Sequence, residues 1–464
     1  MKPSLTGALA TPHSLATEAG ARAYSGGGNA IDAAIAAAAV LTVVYPHNVA
    51  LGGDLIALIR TPDGQVRCVN ASGWAGRAVD AADLRARHGH WLPARGAEPV
   101  TVPGGVRGWE ALRSLGARLD WADTLAAAES AARTGVPVAP SLAASIAGAE
   151  AADLVGTEDF DRVFRPGGVS LCSGDEFVQP ALADSFATLR DCGPDSFYEG
   201  ALGARCVDYL RSRGSVLTAD DFAAFQPEIV APIATEFGGL TVLTSPPNTH
   251  GLLLLRALRA IDELAICGPL GDGLAADSDG YVVSLIQSLY YAFGSGLIDP
   301  DTGILFHNRG IGFALDADSP NVIAPRKRPL HTLMPAMTLD EGTPRHVLAT
   351  MGGQGQPQIL AQVLLRALAG ATAEESVAAP RAVVGLQSDG ATADSVTIES
   401  DIEAAARDSV ARSGLAIIDV APSSEELGHT NVVFIDAGNA MTAASDQRSD
   451  GAAVVAHYPR IVNY

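Results

Sequence analysis

The most suggestive chemistry in the sequence comes from two adjacent glycines, Gly352 and Gly353. They lie in ATMGGQGQPQILAQVLL, whose pattern predicts a strand before the glycines and a helix from about Pro357 or Gln358. Paired glycines at such a junction can expose backbone N–H groups beside a helix N-terminus. These groups can stabilise the oxyanion that develops during acyl transfer. The alternative interpretation is a simple tight turn without a chemical role.

Polar residues also enter the apolar segment KRPLHTLMPAM, as His331 and Thr332. Taken alone, they are interpreted as structural, and so are His250 in PPNTHG and His307 in LFHNRG. The sequence has no H-E-x-x-H, G-x-S-x-G or Walker motif, and no dinucleotide-binding glycine motif after a predicted strand. It therefore gives little support to a metalloenzyme, a serine hydrolase or a nucleotide-binding enzyme.

The elements that must hold these residues begin with an Ala-rich helix. Asn29 is a good N-cap for the apolar run that follows it, and Pro46 ends that run. Two strands at 55–60 and 66–72 are predicted next, because they flank a Pro-Asp-Gly turn. This part of the chain should therefore form a buried helix followed by a hairpin.

The rest of the chain changes from predicted helices to predicted strands. Helices are predicted at 121–134 and 142–154, and a short strand before Pro246 is followed by a helix from about Asn248 or Thr249. From Gly280 onward the pattern favours strands, with one helix among them; the predictions are a strand at 281–289, hairpins at 334–351 and 432–445, and a helix at 359–368. An antiparallel sheet layer with helices on its faces is the expected architecture.

Composition limits the class of protein. The 464 residues are 48% hydrophobic and 18% charged, which suits two packed domains or one large layered domain. The net charge of −21 argues against general nucleic-acid binding. The five cysteines include no C-x-x-C pair, so neither a disulfide framework nor a zinc knuckle is indicated. The N-terminus does not resemble a signal peptide, and no apolar stretch is long enough for a membrane span, so a cytoplasmic protein is expected.

Several motifs, taken in order, resemble the γ-glutamyltransferase family of N-terminal nucleophile (Ntn) hydrolases. They extend over nearly the full length of the chain and include GGGNAIDAAIAAA, VVYPHNVALGGD, VPGGVRGWEAL, LTADDFAAFQPEIVAPI, SPPNTHGLLLL, SLIQSLYYAFGSGLIDPDTGILFHNR, KRPLHTLMPAM, MGGQGQPQ, APRAVVG and DQRSDGAA. The resemblance implies an α/β fold in the form of a four-layer αββα sandwich. It also implies a hydrolase or acyltransferase that acts on a small molecule without a metal or cofactor.

The resemblance further implies a precursor, or zymogen, that cuts itself into two subunits. Residues 1–269 then form a large-subunit-like region and 270–464 a small-subunit-like region, which remain one intertwined folding unit. The N-terminal Thr of the small subunit would be both nucleophile and base in such an enzyme.

The resemblance assigns roles to four residues near the expected acyl site. Gly352 and Gly353 match the oxyanion-hole glycines of the family, and Ser288 matches a hydroxyl residue that supports the nucleophile. Thr332 matches one of two serines that hold the substrate carboxylate. His331 stands where the other serine is expected.

The nucleophile itself departs from the family pattern. Family members place the catalytic Thr a few residues before a D-x-D-G turn, which here spans 277–280. Leu270 occupies the matching slot, and GPLGDGLAA contains no Thr, Ser or Cys. Cys267 is the nearest thiol, three residues before that slot. The sequence is also shorter here by several tens of residues, and the abrupt junction favours deletion or omission of a segment over gradual divergence.

The substrate-binding positions depart as well. Trp74, in NASGWAG, stands where family members place an Arg that clamps the substrate α-carboxylate. Arg77 is a candidate to replace that Arg, and a solvated surface Arg is the alternative interpretation. Ile311 and Gly312 replace the acidic pair that binds the α-amino group. Glutathione is therefore not the expected donor, because its charged groups would lack partners.

Three functional hypotheses follow from these departures. The motifs HNRG, RPLHTLMPA and MGGQGQPQ are most similar to those of a branch that includes oxamate amidohydrolase. The first hypothesis is therefore a hydrolase of small amide or oxalyl-type substrates. A C–C bond hydrolase that releases an oxalyl unit in actinobacterial secondary metabolism is an alternative. The third hypothesis is a catalytically inactive binding or partner protein, since no Thr nucleophile is present. Hydrolysis and transfer to an amine acceptor are not distinguished by the sequence.

Overall fold

The computed structural model describes residues 4–150, 153–264, 278–388 and 390–459. Leu270, Cys267 and the first residue of the turn at 277–280 lie outside these described residues. None of the helices in the described ranges has both the length and the apolar character that a membrane crossing requires.

The strands, numbered in chain order, are β1 (Ser4–Thr11), β2 (Asp54–Arg60), β3 (Val66–Ala71), β4 (Val136–Pro137), β5 (Glu176–Phe177), β6 (Glu228–Val230), β7 (Ile233–Phe237), β8 (Leu240–Thr244), β9 (Val282–Ser288), β10 (Ala336–Asp340), β11 (Thr343–Thr350), β12 (Ala382–Val384), β13 (Ser395–Glu399), β14 (Ala416–Val420), β15 (Thr430–Ile435), β16 (Met441–Ser445) and β17 (Ala452–Pro459).

The α-helices, numbered in the same way, are α1 (Ser14–Ser25), α2 (Ala30–Val44), α3 (Ala81–His88), α4 (Gly105–Ser114), α5 (Trp121–Thr134), α6 (Pro140–Ala147), α7 (Glu158–Phe164), α8 (Pro180–Cys192), α9 (Asp195–Tyr198), α10 (Ala201–Ser212), α11 (Ala219–Ala223), α12 (Gly251–Glu263), α13 (Gln356–Leu368), α14 (Ala373–Ala378) and α15 (Ala404–Ala411). Single 3-10 turns lie at Gly148–Glu150, Pro166–Gly168, Arg309–Gly312, Gly353–Gly355 and Glu425–Leu427.

Two antiparallel sheets stacked face to face form the centre of the fold. Their strand orders are β16-β15-β11-β10-β8-β7 and β6-β3-β2-β9. Helices α12, α13 and α14 cover the outer face of the first sheet, and α2 and α4 cover the outer face of the second. The four-layer αββα sandwich implied by the family resemblance is therefore confirmed.

Strand β2 shows how the sequence builds this layering. Leu55, Ala57 and Ile59 pack against the helices on one side. Ile56 and Leu58 pack into the layer between the two sheets. Because successive strand residues point to opposite faces and both faces are covered, the run LIALI is apolar throughout instead of alternating with polar residues.

Helix α2 begins at the predicted N-cap. The Asn29 side chain accepts a hydrogen bond from the Ile31 N–H (2.9 Å), and the Asp32 carboxylate accepts one from the Asn29 N–H (2.9 Å). The Asp32 carboxylate also accepts from the N–H groups of Arg118 and Leu119. This capping box lets an Ala-rich helix lie almost entirely buried beneath the sheet without leaving its first N–H groups unpaired.

Two predicted helices differ from the structure. The helix predicted at 142–154 ends at Ala147, because Gly148 caps it and a 3-10 turn follows. The helix predicted from Asn248 or Thr249 begins at Gly251. The chain before it is held by His331, whose N–H donates to the Asn248 carbonyl and whose carbonyl accepts from the His250 N–H, both at 2.9 Å.

Replacing Asn29 with Ala should lower the free energy of unfolding by about 1–2 kcal/mol, because a buried N-cap is lost. The variant also loses the hydrogen bond from Asn29 Nδ2 to the Gly116 carbonyl. Urea unfolding followed by circular dichroism measures the loss. The control is Asp80→Ala at the exposed N-cap of α3, where a smaller loss is expected; equal losses would contradict the buried cap.

Candidate active site

A cavity of about 120 Å³ lies where β9 and β11 end. Ser288, Thr332 and Gly353, which the sequence places far apart, line it together. The polar part of its lining also includes Tyr45, Asn48, Gln287, Tyr290, Thr350, Gln356, His429 and Asn431. The candidate residues of the sequence analysis that line this cavity thus come from three separate segments of the chain.

Ser288 is the last residue of β9, and its side chain shapes the turn that follows. Its Oγ accepts a hydrogen bond from the Tyr290 N–H at 2.8 Å. Tyr290 has a positive φ of 82°, which is uncommon for a residue with a side chain. The turn places Ser288 and Tyr290 on the same cavity.

The paired glycines form the junction between β11 and α13. Gly352 has φ +149°, and a Cβ there would lie 2.4 Å from Ile359 Cδ1. Gly353 has φ +53° and opens the 3-10 turn that leads into α13. The N–H groups at the start of a helical segment have no partner in the preceding turn, so this geometry suits an oxyanion.

Behind Thr332 lies the fully buried carboxylate of Asp54, the first residue of β2. The Gly73 N–H donates to Oδ1 at 3.1 Å, and His331 Nε2 lies 3.2 Å from Oδ2. Burial alone would raise the pKa of Asp54, but His307, His331 and Arg309 outweigh it and lower the pKa to about 2. The carboxylate is therefore ionised at neutral pH.

His331 is buried and does not line the cavity. The Leu333 N–H donates to His331 Nδ1 at 3.3 Å, so the Nε2–H tautomer satisfies both ring nitrogens. Burial, with the nearby Arg309 charge, lowers the pKa of His331 to about 3, so the ring is neutral. In the structure, His331 orients Asp54 and the segment that carries Thr332.

Arg309 completes this cluster and is also fully buried. Its Nη1 donates to Thr332 Oγ1 at 3.2 Å, its Nε lies 3.8 Å from Asp54 Oδ2, and its Cζ lies 4.0 Å from the centre of the Tyr290 ring. Burial lowers the pKa of Arg309 to about 10, so the guanidinium stays charged at neutral pH. The positive charge thus lies directly behind two residues that line the cavity.

Tyr45 and His429, which also line the cavity, belong to a second group of titratable residues. Tyr45 Oη lies 3.2 Å from His429 Nε2 and donates to Glu425 Oε1 at 3.3 Å. Burial raises the pKa of Glu425 to about 7 and lowers that of His429 to about 4. His47 packs against Tyr45 with ring centres 4.1 Å apart and the ring planes tilted by 54°. The Glu425 carboxyl group can therefore hold a proton near neutral pH, and Tyr45 joins it to the cavity.

The structure does not bring Trp74 or Arg77 to the cavity. Trp74 packs edge to face on Phe225 with ring centres 5.2 Å apart, and Arg77 is exposed. Ile311 and Gly312 lie in the 3-10 turn that begins at Arg309. Neither the expected carboxylate-binding positions, Trp74 and Arg77, nor the expected ammonium-binding positions, Ile311 and Gly312, therefore place a charged side chain in the cavity.

The sequence analysis missed Asp54 and Arg309. Asp54 could have been found, because it is the one charged residue directly before the apolar run LIALI. Arg309 lies in HNRG beside a histidine that was interpreted as structural, and no local pattern distinguishes it from a surface Arg. Tyr45 and His429 contribute through tertiary contacts, since they are 384 residues apart in sequence.

Charge distinguishes this cavity from one built for an amino acid. None of the described residues that line it is Asp or Glu. An ammonium group would therefore have no carboxylate partner, whereas an anion would be attracted to Arg309. Within the described part of the chain, no group of three His, Cys, Asp or Glu residues is placed to hold a metal ion.

The chain is similar to known proteins in sequence and in structure. A sequence model of the family described as Gamma-glutamyltranspeptidase matches residues 16–269 and 274–456. The glutathione hydrolase-like YwrD proenzyme of Bacillus subtilis (strain 168) is 32% identical over 517 aligned residues, which cover 96% of this chain and 98% of that protein. The oxamate amidohydrolase proenzyme of Klebsiella pneumoniae is 32% identical over 525, covering 97% and 98%. The crystal structure of cephalosporin acylase from Bacillus halodurans matches with a TM-score of 0.88 and 28% identity, covering 98% and 96%.

The comparisons also bear on the nucleophile slot. Both protein alignments are longer than the 464 residues of the chain, so they contain positions at which this chain has no residue. The family match is interrupted at 270–273, which includes the slot that Leu270 occupies. The interruption coincides with the region where the sequence analysis expects a missing segment.

Replacing His47 with Phe should make stability less sensitive to acid. His47 is fully buried, and neither ring nitrogen has a hydrogen-bond partner among the described residues. Burial lowers its pKa from 6.5 to about 3, so below pH 6.5 the unfolded chain binds a proton that the folded chain does not. Lowering the pH from 7 to 5.5 should therefore reduce the free energy of unfolding of the wild type by about 1 kcal/mol through this group. The variant should not show this loss. Urea unfolding at both pH values measures it; an equal loss in both proteins would contradict a neutral buried His47.

Proposed function

Because the chain belongs to the gamma-glutamyltranspeptidase family, we propose that it is an acyl-cleaving hydrolase of a small, carboxylate-bearing substrate of the oxalyl class. The observation that carries this proposal is the meeting of Gly353, Ser288 and Thr332 on one cavity that has no lining carboxylate. In this proposal Gly352 and Gly353 donate N–H groups to the oxyanion. Ser288 supports the nucleophile, and Thr332 donates to the substrate carboxylate.

The substrate class is argued from charge. An oxalyl group needs an oxyanion hole and a carboxylate partner, but it has no ammonium group. A γ-glutamyl substrate would bring an ammonium into a cavity whose described lining has no acidic side chain. The 32% identity to an oxamate amidohydrolase proenzyme supports the same class. A C–C bond hydrolase that releases an oxalyl unit would use the same contacts and differ in its leaving group.

A second candidate function is favoured by one observation. Leu270 stands where the family resemblance places the nucleophilic Thr, and the family match is interrupted there. A chain without a replacement nucleophile would bind the same small carboxylate without turning it over. It would then be a catalytically inactive binding or partner protein of this family.

The intact mass of the natively expressed protein, with N-terminal sequencing of each chain, separates the two candidates. The hydrolase predicts two chains, the smaller beginning with a Thr from the segment that this sequence lacks before 277–280 and continuing into that turn. One species of 47.5 kDa that binds oxamate without releasing ammonia would instead establish the binding protein. A single chain that hydrolyses oxamate would contradict both self-cleavage and inactivity.

In active protein, Gly352→Ala should lower the rate of ammonia release from oxamate at least tenfold. The added Cβ meets Ile359 Cδ1 at 2.4 Å, so the chain must shift and carry the N–H donors out of position. The control is Gly370→Ala, which changes a glycine of positive φ with open space around it, at the far end of α13. Equal rates in the two variants would remove the oxyanion role of this turn.

A further inference from the structure

Arg309 is a buried cation that has unused hydrogen-bond donors. Among the described residues, nothing accepts a hydrogen bond from its Nε or Nη2. Its side chain is fully buried, so bulk water does not reach these groups. Buried donors that lack partners are costly, and charged ones more so. A guanidinium with unused donors can therefore donate hydrogen bonds to an anionic group of a bound ligand.

The surrounding contacts fix the position of this guanidinium. Thr332 Oγ1 accepts from Nη1 at 3.2 Å, and the Tyr290 ring covers the guanidinium at 4.0 Å. Both residues line the cavity that the proposed function assigns to the substrate. The planar group is thus oriented by two neighbours that themselves face the substrate space.

The nearby carboxylate does not use the free donors of Arg309. Asp54 is the nearby carboxylate, but it lies 3.8 Å away without a hydrogen bond and is already held by Gly73 and His331. Burial lowers the pKa values of His250 and His307, as it does for His331, and so favours the neutral rings. The charge of Asp54 balances that of Arg309, but Nε and Nη2 of Arg309 stay without an acceptor among the described residues.

Arg328 and Arg77 do not present free donors to the cavity. Arg328 donates to the Ser72 carbonyl, the Gln226 carbonyl and the Glu228 carboxylate. Arg77 is exposed and does not line the cavity. In the described part of the chain, Arg309 combines full burial and free donors with contacts to Thr332 and Tyr290, which line the cavity.

We propose that Arg309 binds the carboxylate of the substrate, assisted by Thr332, and that this contact selects anionic over neutral amides. A guanidinium can hold a carboxylate through two parallel hydrogen bonds, which adds geometric selection to charge. The inference rests on the proposed function, since it concerns the same cavity, and it assigns the carboxylate contact to a residue far from Trp74 and Arg77 in sequence.

Calorimetric binding of oxamate and of its neutral analogue oxamide tests this role, and it needs no turnover. The wild-type protein should bind oxamate at least tenfold more tightly than oxamide. Arg309→Gln should lose that preference, while Arg309→Lys should keep part of it because the charge remains without the two-pronged geometry. Arg77→Gln is the matched control and should bind as the wild type does.

The outcomes separate this inference from the proposed function. Wild-type protein that binds oxamate, with Arg309→Gln binding it equally well, overturns the role of Arg309 and leaves the proposed function standing. Wild-type protein that binds neither compound overturns both. If Arg309→Gln fails to fold, the comparison of oxamate with oxamide in wild type and in Arg309→Lys decides: no preference in wild type, or an undiminished preference in Arg309→Lys, counts against the carboxylate contact.

Discussion

The candidate site depends on one buried carboxylate, that of Asp54. It connects three segments that are distant in sequence: the start of β2, the segment at 307–309 and the segment at 331–332. A carboxylate so deeply buried stays ionised only because neighbours supply hydrogen bonds and opposite charge. Those same neighbours carry the polar groups of the cavity wall, so the network that stabilises Asp54 also determines where Arg309 and Thr332 lie.

The lining of the cavity offers two kinds of chemistry. Thr332, with Arg309 behind it, and the backbone junction at Gly353 suit groups that carry or develop negative charge. Tyr45 and His429 add titratable groups beside this junction, since the Met351 N–H donates to the His429 carbonyl at 2.9 Å. Tyr45 also joins the cavity to the half-buried carboxyl group of Glu425.

The sequence predicted the layers better than it predicted the site. Hairpins, the Asn29 cap and the glycine junction follow from local patterns, and the structure confirms them. Ser288, Thr332 and Gly353, which the family motifs singled out, line one cavity, and their roles stay a prediction. Arg309 was missed because its meaning depends on burial and on unpaired donors, which no short pattern encodes. The start of α12 was misplaced because His331, 81 residues beyond His250, pairs with the residues before the helix.

The apolar run of β2 has a consequence for how the strands align. From Leu55 to Ile59 every residue is buried, and both faces of the strand meet apolar layers. A slip of one residue would exchange the two faces at little hydrophobic cost, so the pattern alone barely specifies the register. The same slip would pull Asp54 from Gly73 and His331 and leave a buried charge unpaired, at a cost of about 3–5 kcal/mol. The buried charge of Asp54 thus also discriminates between correctly and incorrectly aligned sheets as the chain folds.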